Sequence, residues 1–150
     1  MLPIPCVREV KQKMDIVVAK RIGAALESVA NVMFDPRREP EWIGGVRSVQ
    51  LLTGDPHASR ARVKRHGSLL GFRFSWVTEL VDYTPGSEMR MAIIRGPMQG
   101  EVIYRVARDG EQCLALIRSV GRMSAELPGA QWLVRRSVRR DLSRLARIVA

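Results

Sequence analysis

The stretch that decides the fold of this chain is residues 14–42, MDIVVAKRIGAALESVANVMFDPRREPEW. Its first part, Met14 to Ile22, is rich in β-branched residues and predicts a strand. From Ala24 to Phe34 the apolar residues recur at helical spacing, which predicts a short amphipathic helix. Asp35-Pro36 ends that helix, because the residue before a proline is biased away from helical backbone. A second short polar segment then reaches Trp42, so two short helices are expected directly after the first strand.

The rest of the chain reads as a series of strands closed by one helix. Alternating or β-branched segments bounded by Gly, Pro and Asp predict strands over 46–52, 60–66, 72–81, 89–93, 102–106 and 113–120. A long amphipathic helix is predicted from about Pro128 to Val149. This order favours an α+β fold, in which a curved antiparallel sheet of six or seven strands surrounds the C-terminal helix and an apolar cavity. Residues 1–13 are interpreted as an N-terminal extension and 14–150 as one ligand-binding domain.

Composition excludes several classes of protein. The hydrophobic fraction of 46% argues against disorder, and no apolar run approaches the ~20 residues that span a bilayer. The start of the chain lacks the pattern of a secretory signal, so a cytoplasmic location is expected. The formal charge of +10 predicts attraction to anionic surfaces. Two cysteines and two histidines without clustering predict no metal site and no cofactor, and the excess of arginine over lysine favours a bacterial source.

The last helix has one apolar stripe and a basic remainder. Val134, Val138, Leu142, Leu145 and Val149 follow helical spacing. The other faces carry Arg135, Arg136, Arg139, Arg140, Arg144 and Arg147. These arginines are either a solvated face or a surface for anionic membrane, with peripheral contact at the inner membrane face. Nucleic acid is a poorer partner, because only 5% of the residues are aromatic and most of these are expected inside.

Residues of the alternating strands are the candidates for the cavity wall. The predicted set is Trp42, Phe72, Phe74, Trp76, Met89, Met91, Ile93, Tyr104, Val134 and Val138. The alternative for each is ordinary core packing, although methionine favours an adaptable ligand surface. His66 and Tyr104 are weak catalytic candidates, since a histidine titrates near neutrality and a buried tyrosine hydroxyl needs a partner.

With these pieces in view, the chain resembles the START-like superfamily, also called Bet v 1-like, helix-grip, SRPBCC or polyketide cyclase/dehydrase. The resembling segments are Lys20-Arg21-Ile22, Leu26-Glu27-Ser28-Val29, Asp35-Pro36 to Trp42, Trp76-Val77-Thr78-Glu79 leading to Pro85, Gly96-Pro97, and Asp141-Leu142 to Leu145. The resemblance implies a helix-grip fold with a ligand cavity. Members of the superfamily include lipid carriers, quinone-binding chaperones, polyketide aromatases, hormone receptors and co-chaperones, so the fold does not choose an activity.

Three functions stay open at this point. The first is binding and sequestration or transport of a small apolar or amphipathic ligand, such as a lipid, isoprenoid, quinone or polyketide-like molecule. The second is an enzyme of the cyclase, aromatase or dehydrase type, for which the sequence supplies no matching catalytic group. The third is an interaction module that uses the basic C-terminal helix.

Overall fold

The sheet contains seven strands, and three helical segments and one 3-10 turn complete the fold. A computed structural model describes residues 12–69, 71–123 and 129–150. The elements are β1 (Gln12–Ile22), α1 (Leu26–Met33), a 3-10 turn (Pro36–Arg38), α2 (Glu39–Trp42), β2 (Val46–Leu51), β3 (Arg62–Leu69), β4 (Phe72–Thr84), β5 (Glu88–Arg95), β6 (Met98–Asp109), β7 (Gln112–Met123) and α3 (Ala130–Val149).

The strands form one antiparallel sheet in the order β1-β7-β6-β5-β4-β3-β2. Every neighbouring pair is antiparallel, and the sheet is curved, with β1 and β2 at its two edges. Consecutive strands from β2 to β7 are neighbours, as short hairpin connections require. The α+β helix-grip fold predicted from the order of elements is therefore confirmed, with seven strands.

Several boundaries differ from the expected ones; β6, for example, covers Met98–Asp109, whereas a strand over 102–106 is predicted. Regular structure begins at Gln12, two residues before the predicted strand, so the predicted extension loses its last two residues to β1. Residues 1–11 of that extension lie outside the described part of the chain, as does Pro128, the predicted start of the last helix.

The turn after α1 has a local cause in the sequence. The Asp35 side chain accepts a hydrogen bond from the backbone N–H of Arg37 (3.1 Å), and Pro36 occupies the first position of the 3-10 turn. A short acceptor side chain before a proline is a preferred helix start, because it satisfies a backbone donor that the helix cannot. This turn carries α2 back towards the sheet, where Trp42 is completely buried.

The core lies between the sheet and the three helices. The apolar stripe of α3 supplies Leu142 and Leu145, both 0% exposed, and partly buried valines beside them. They pack with the inward residues of β1, among them Met14 and Ile16, and with Val29 of α1. The residues that alternate along β1 and those of the apolar stripe of α3 thus pack into one core, as the sequence pattern predicts.

Candidate functional site

A buried ion pair is the most unusual feature of the interior. Glu39 of α2 and Arg65 of β3 have side chains that are 1% and 3% exposed. Arg65 Nε donates to Glu39 Oε1 (2.6 Å), and Arg65 Nη2 donates to Glu39 Oε2 (2.8 Å). Two parallel hydrogen bonds of this kind are the strongest form of ion pair. The pair fixes α2 to β3, the strand next to the edge strand β2, because either charge alone would be buried without compensation.

Arg65 also engages two neighbours on the inner face of the sheet. Its Nη1 donates to Thr78 Oγ1 (2.6 Å), and Nη2 lies 3.5 Å from Met91 Sδ. Burial opposes the charged form of Arg65, but the carboxylate of Glu39 outweighs that effect and raises the pKa of the guanidinium. The result is a buried ion pair whose two charges balance, with the Thr78 hydroxyl beside it.

Tyr104 and Trp42 complete this interior cluster. Their rings meet edge to face, with centroids 5.7 Å apart and planes at 64°. Burial, and then the nearby negative charge of Glu39, raise the pKa of Tyr104 well above its usual value, so the phenol stays protonated. The indole Nε1–H of Trp42 is buried and finds no acceptor among the residues that the structure describes. A buried donor without an acceptor is uncommon in native proteins and calls for an explanation.

Asp141 ties α3 to the turn after α2. Its Oδ1 accepts from the backbone N–H of Gly44 (3.0 Å) and from Nη1 of Arg144 (3.0 Å). Desolvation raises the pKa of this carboxyl to about 6, against the opposing effects of the Gly44 hydrogen bond and the Arg144 charge. Asp141 therefore changes its protonation state near neutral pH, at the point where the helix meets the rest of the domain.

A pocket of about 470 Å³ opens beside this contact. One wall is the turn at Gly44-Gly45 together with Ser68 of β3. The other wall is α3, which contributes Leu133, Arg136, Ser137, Arg140, Asp141 and Arg144. The pocket thus has an apolar part at Leu133 and a strongly basic part formed by the arginines, with one carboxyl at its base.

The predicted cavity residues fall into three groups. Trp42, Met89, Met91 and Tyr104 are buried, while Phe74, Trp76, Ile93, Val134 and Val138 are half-buried. Phe74 and Trp76 contact each other, with ring centroids 5.2 Å apart. The structure does not bring Phe72 to these residues: it stands at the start of β4 and is 74% exposed. His66 is also exposed, on β3.

The arginines of α3 divide among different surroundings. Arg136, Arg140 and Arg144 line the pocket. Arg135 reaches the carbonyl oxygen of Val17 on β1 (3.4 Å). Arg139 and Arg147 are exposed and line a neighbouring pocket of about 390 Å³, together with Arg136, Arg140, Ser143 and Arg144. Five of the six arginines predicted as one surface therefore lie on a common basic face of α3, and Arg135 stands apart from them.

Sequence reasoning missed the buried polar residues. Glu39, Arg65, Thr78 and Asp141 are all buried, and none of them was a predicted site residue. The sequence does contain a signal for Arg65. Side chains alternate between the two faces of a strand, so Arg65 lies on the same face of β3 as Val63 and Gly67, and that face is buried. An arginine at an apolar position of a strand predicts a buried partner, since such a charge is almost never fully buried alone.

The comparisons with known proteins agree with this geometry. Residues 13–150 match the family described as polyketide cyclase / dehydrase and lipid transport, so the chain belongs to that family. Its fold is that of the START and Bet v 1 superfamily, as its similarity to solved structures also indicates. A comparison with curated proteins finds no significant match.

Three solved structures illustrate the range of similar folds. A START superfamily protein from Mycobacterium smegmatis is 12% identical, with a TM-score of 0.77, covering 92% of this chain and 97% of the other. The Zhui aromatase/cyclase from a Streptomyces species is 14% identical, with a TM-score of 0.73 and coverage of 92% and 94%. The ginseng (Panax ginseng) major latex-like protein 151 is 11% identical, with a TM-score of 0.74 and coverage of 91% and 97%. At these identities the likeness establishes the fold alone.

None of the helices described within residues 12–150 combines the length and apolar character needed to cross a membrane.

Proposed function

We propose that this chain binds a small amphipathic molecule that carries a carboxylate or phosphate group, and that the pocket beside α3 receives that group. The observation that carries the proposal is the pocket of about 470 Å³ with Arg136, Arg140 and Arg144 on one wall. Volumes of roughly 300–1,000 Å³ hold small molecules. The guanidinium group favours carboxylate and phosphate partners, because its planar fork of donors matches their oxygens.

The apolar part of the ligand is expected to extend from the pocket towards the core. Leu133 lies in the pocket, and Leu142, next to the pocket residue Asp141, is buried in the core. Met89 and Met91 occupy the interior, and methionine side chains adapt to irregular shapes more readily than branched ones. Burial of an alkyl or aromatic portion there contributes roughly 25 cal/mol per Å² of apolar area. The domain thereby acts in sequestration or transport.

Movement of α3 is the expected gate. The helix is linked to the turn after α2 through Asp141 and Gly44, and a small outward shift of α3 breaks that link and widens the pocket. The Trp42 Nε1–H, which lacks an acceptor among the described residues, then becomes a donor for a polar atom of the ligand.

The test compares three ligands that differ in their head group alone. We expect dodecanoate and dodecyl phosphate to bind in isothermal titration calorimetry, and dodecanol to bind at least several-fold more weakly. Arg140→Gln removes one partly exposed charge worth about 1 kcal/mol, which corresponds to roughly five-fold weaker binding of dodecanoate. Arg21→Gln is the control, because Arg21 is exposed on β1 and lines neither of the pockets beside α3, while its replacement removes the same charge.

Two results would overturn the proposal. One is equal binding of dodecanol and dodecanoate, which removes the anionic group from recognition. The other is an equal effect of Arg21→Gln and Arg140→Gln on dodecanoate binding, which would attribute the effect of the arginines to the net charge of the protein. Native mass spectrometry of protein purified from cells provides an independent check, since a co-purified ligand reveals its mass.

A second candidate is an enzyme of the cyclase, aromatase or dehydrase type. The observation in its favour is the buried group of Glu39, Arg65, Thr78 and Tyr104, which brings an ion pair, a hydroxyl and a protonated phenol into one interior. The phenol is the donor that would stabilise an enolate oxygen as it forms, because the guanidinium already donates to Glu39 and Thr78. The test is whether the protein accelerates ring closure with loss of water from a poly-β-keto thioester, and whether Tyr104→Phe removes that acceleration.

A further inference from the structure

We propose that the end of the sheet at which α3 begins is a docking surface for an anionic lipid bilayer. We call it the open end and define it by two exposed aromatic residues, Phe72 and Trp132, and by the exposed basic residues Arg47, Arg73 and Arg136. This surface differs from the whole basic helix, because most of its members come from strands and only one helical turn takes part.

Topology brings these residues to one end. The pairing of Val46 with Gly67 and of Gly67 with Phe74 places the start of β2, the end of β3 and the start of β4 together. The first turn of α3 joins them, because Ser68 and Leu133 line the same pocket. Phe72, which pairs with Leu69 next to Ser68 on β3, and Trp132, next to Leu133 on α3, therefore each lie close in the fold to a residue that lines this pocket.

Both aromatic side chains are unusually exposed for their size. Phe72 is 74% exposed and Trp132 is 59% exposed, although most large apolar residues of this chain are buried. Arg136 lies over the Trp132 ring, with its guanidinium carbon 5.4 Å from the ring centroid. An aromatic ring with an adjacent arginine suits the boundary between lipid head groups and acyl chains, where the ring enters the apolar layer and the charge stays with the phosphates.

Basic residues outnumber acidic ones in the described part of this end. Among segments 12–15, 44–48, 66–69, 71–76, 94–99, 119–123 and 129–137, the one acidic residue is Asp15, whose carboxylate is paired with Arg118. The same segments contain Lys13, Arg47, Arg73, Arg95, Arg122, Arg135 and Arg136. At the opposite end of the sheet, exposed arginines form ion pairs, for example Arg21 with Asp109 and Arg108 with Glu27.

This excess of basic residues favours an anionic surface as the partner. Unpaired basic residues attract an anionic bilayer, and each one near the surface strengthens binding by about five-fold. Exposed aromatic residues add apolar contact, which a bilayer accepts and a hydrophilic polyanion does not. The pocket lined by Ser68 and Leu133 then lies close to the membrane.

The experiment is vesicle flotation with phosphatidylcholine alone and with added phosphatidylglycerol, at low and at physiological salt. We expect binding to the anionic vesicles only, weakened by salt because the exposed charges are screened. The double variant Arg47→Gln/Arg73→Gln is expected to bind at least ten-fold more weakly. Its control, Arg21→Gln/Arg108→Gln, removes the same amount of charge from the opposite end and is expected to bind within two-fold of the unaltered protein.

Apolar contact is tested separately. Phe72→Ser is expected to weaken vesicle binding several-fold, whereas Val81→Ser, at a residue that is 54% exposed further along the same strand, leaves binding unchanged. Tryptophan emission is expected to shift to shorter wavelength on binding, and Trp132→Phe removes that shift. Far-UV circular dichroism and melting curves establish that each variant is folded.

Three outcomes overturn the proposal. Equal loss in the two double-arginine variants attributes binding to net charge rather than to the open end. Equal flotation with neutral and anionic vesicles removes the electrostatic argument. Displacement of the protein from anionic vesicles by duplex DNA at physiological salt replaces the bilayer with nucleic acid as the partner. Ligand binding in the pocket is measured without vesicles, so its failure is distinguishable from failure of docking.

Discussion

Replacement of Arg65 by methionine tests whether the buried ion pair is a coupled unit. Arg65→Met leaves the Glu39 carboxylate, which is 1% exposed, without its partner, and leaves Thr78 without a donor. Removal of one member of a buried pair costs about 3–5 kcal/mol of the free energy of unfolding. Glu39→Met leaves the guanidinium uncompensated and is expected to cost a similar amount.

The double variant Glu39→Met/Arg65→Met removes both charges and fills the space with apolar side chains. A buried pair replaced in this way is often neutral in stability, and the lost hydrogen bond to Thr78 costs about 1 kcal/mol. We therefore expect the double variant to lose only about 1–2 kcal/mol, far less than the sum of the two single variants. A coupling of this size is expected of groups that share hydrogen bonds.

The assay is urea unfolding followed by far-UV circular dichroism at neutral pH, arranged as a double-mutant cycle. The exposed pair Arg38–Glu41 is the matched control, because its side chains are 39% and 47% exposed and its N–O distance is 2.8 Å. The corresponding variants of that pair are expected to cost below about 1 kcal/mol. Two results would contradict this account. One is a double variant of the buried pair whose loss of stability equals the sum of the two single losses. The other is a single variant of the buried pair that loses as little stability as a variant of the exposed pair. Should the methionine variants fail to fold alone, recovery of folding in the double variant carries the same conclusion.

Three further predictions concern the pocket wall and the core. The pKa of Asp141 is raised to about 6 in the folded state, so the folded state holds a proton that the unfolded chain releases near pH 4. The contribution of this group to the free energy of unfolding is therefore complete below pH 4. It is lost as the pH rises to about 6. Asp141→Asn is therefore expected to gain up to about 1–2 kcal/mol relative to the unaltered protein at pH 8 but not at pH 4, as thermal unfolding at both pH values will reveal. Gly67→Ala is expected to cost about 1–3 kcal/mol in urea unfolding, because its new methyl group meets the Gly45 carbonyl, whereas Gly23→Ala has open space and serves as control. Trp42→Phe is expected to cost only about 1–2 kcal/mol, since it removes the unpaired buried N–H, while Trp42→Ala costs about 3–5 kcal/mol through the cavity it creates; equal losses would contradict this account of the indole.

These tests separate the roles of neighbouring groups. The Glu39–Arg65 cycle reports on the interior and leaves the exposed arginines of α3 untouched, whereas the ligand and vesicle experiments change exposed residues and leave the interior intact. A protein that loses ligand binding with Arg140→Gln but retains its melting temperature thus supports a binding role for the pocket wall. A loss of stability in Arg65→Met instead reports how much the buried ion pair stabilises the fold.

The sequence by itself determined the order of elements, and that order determined the fold. Met14 to Ile22, the break at Asp35-Pro36 and the apolar stripe of α3 are local patterns with periods of two and 3.6 residues, so each can be recognised without its neighbours. The family resemblance rested on the same segments and is confirmed by the match over residues 13–150.

Only the tertiary structure decided which side chains meet. Period-two alternation in β4 holds for Phe74, Trp76 and Thr78, but it cannot tell that Phe72, which pairs with Leu69 at the start of the strand, faces solvent. Glu39 and Arg65 are far apart in sequence, and nothing local predicts that a short helix carries the carboxylate onto the guanidinium. The grouping of basic residues also depends on contacts between distant parts of the chain. Antiparallel pairing brings Arg47 and Arg73 to the same end of the sheet, where α3 begins.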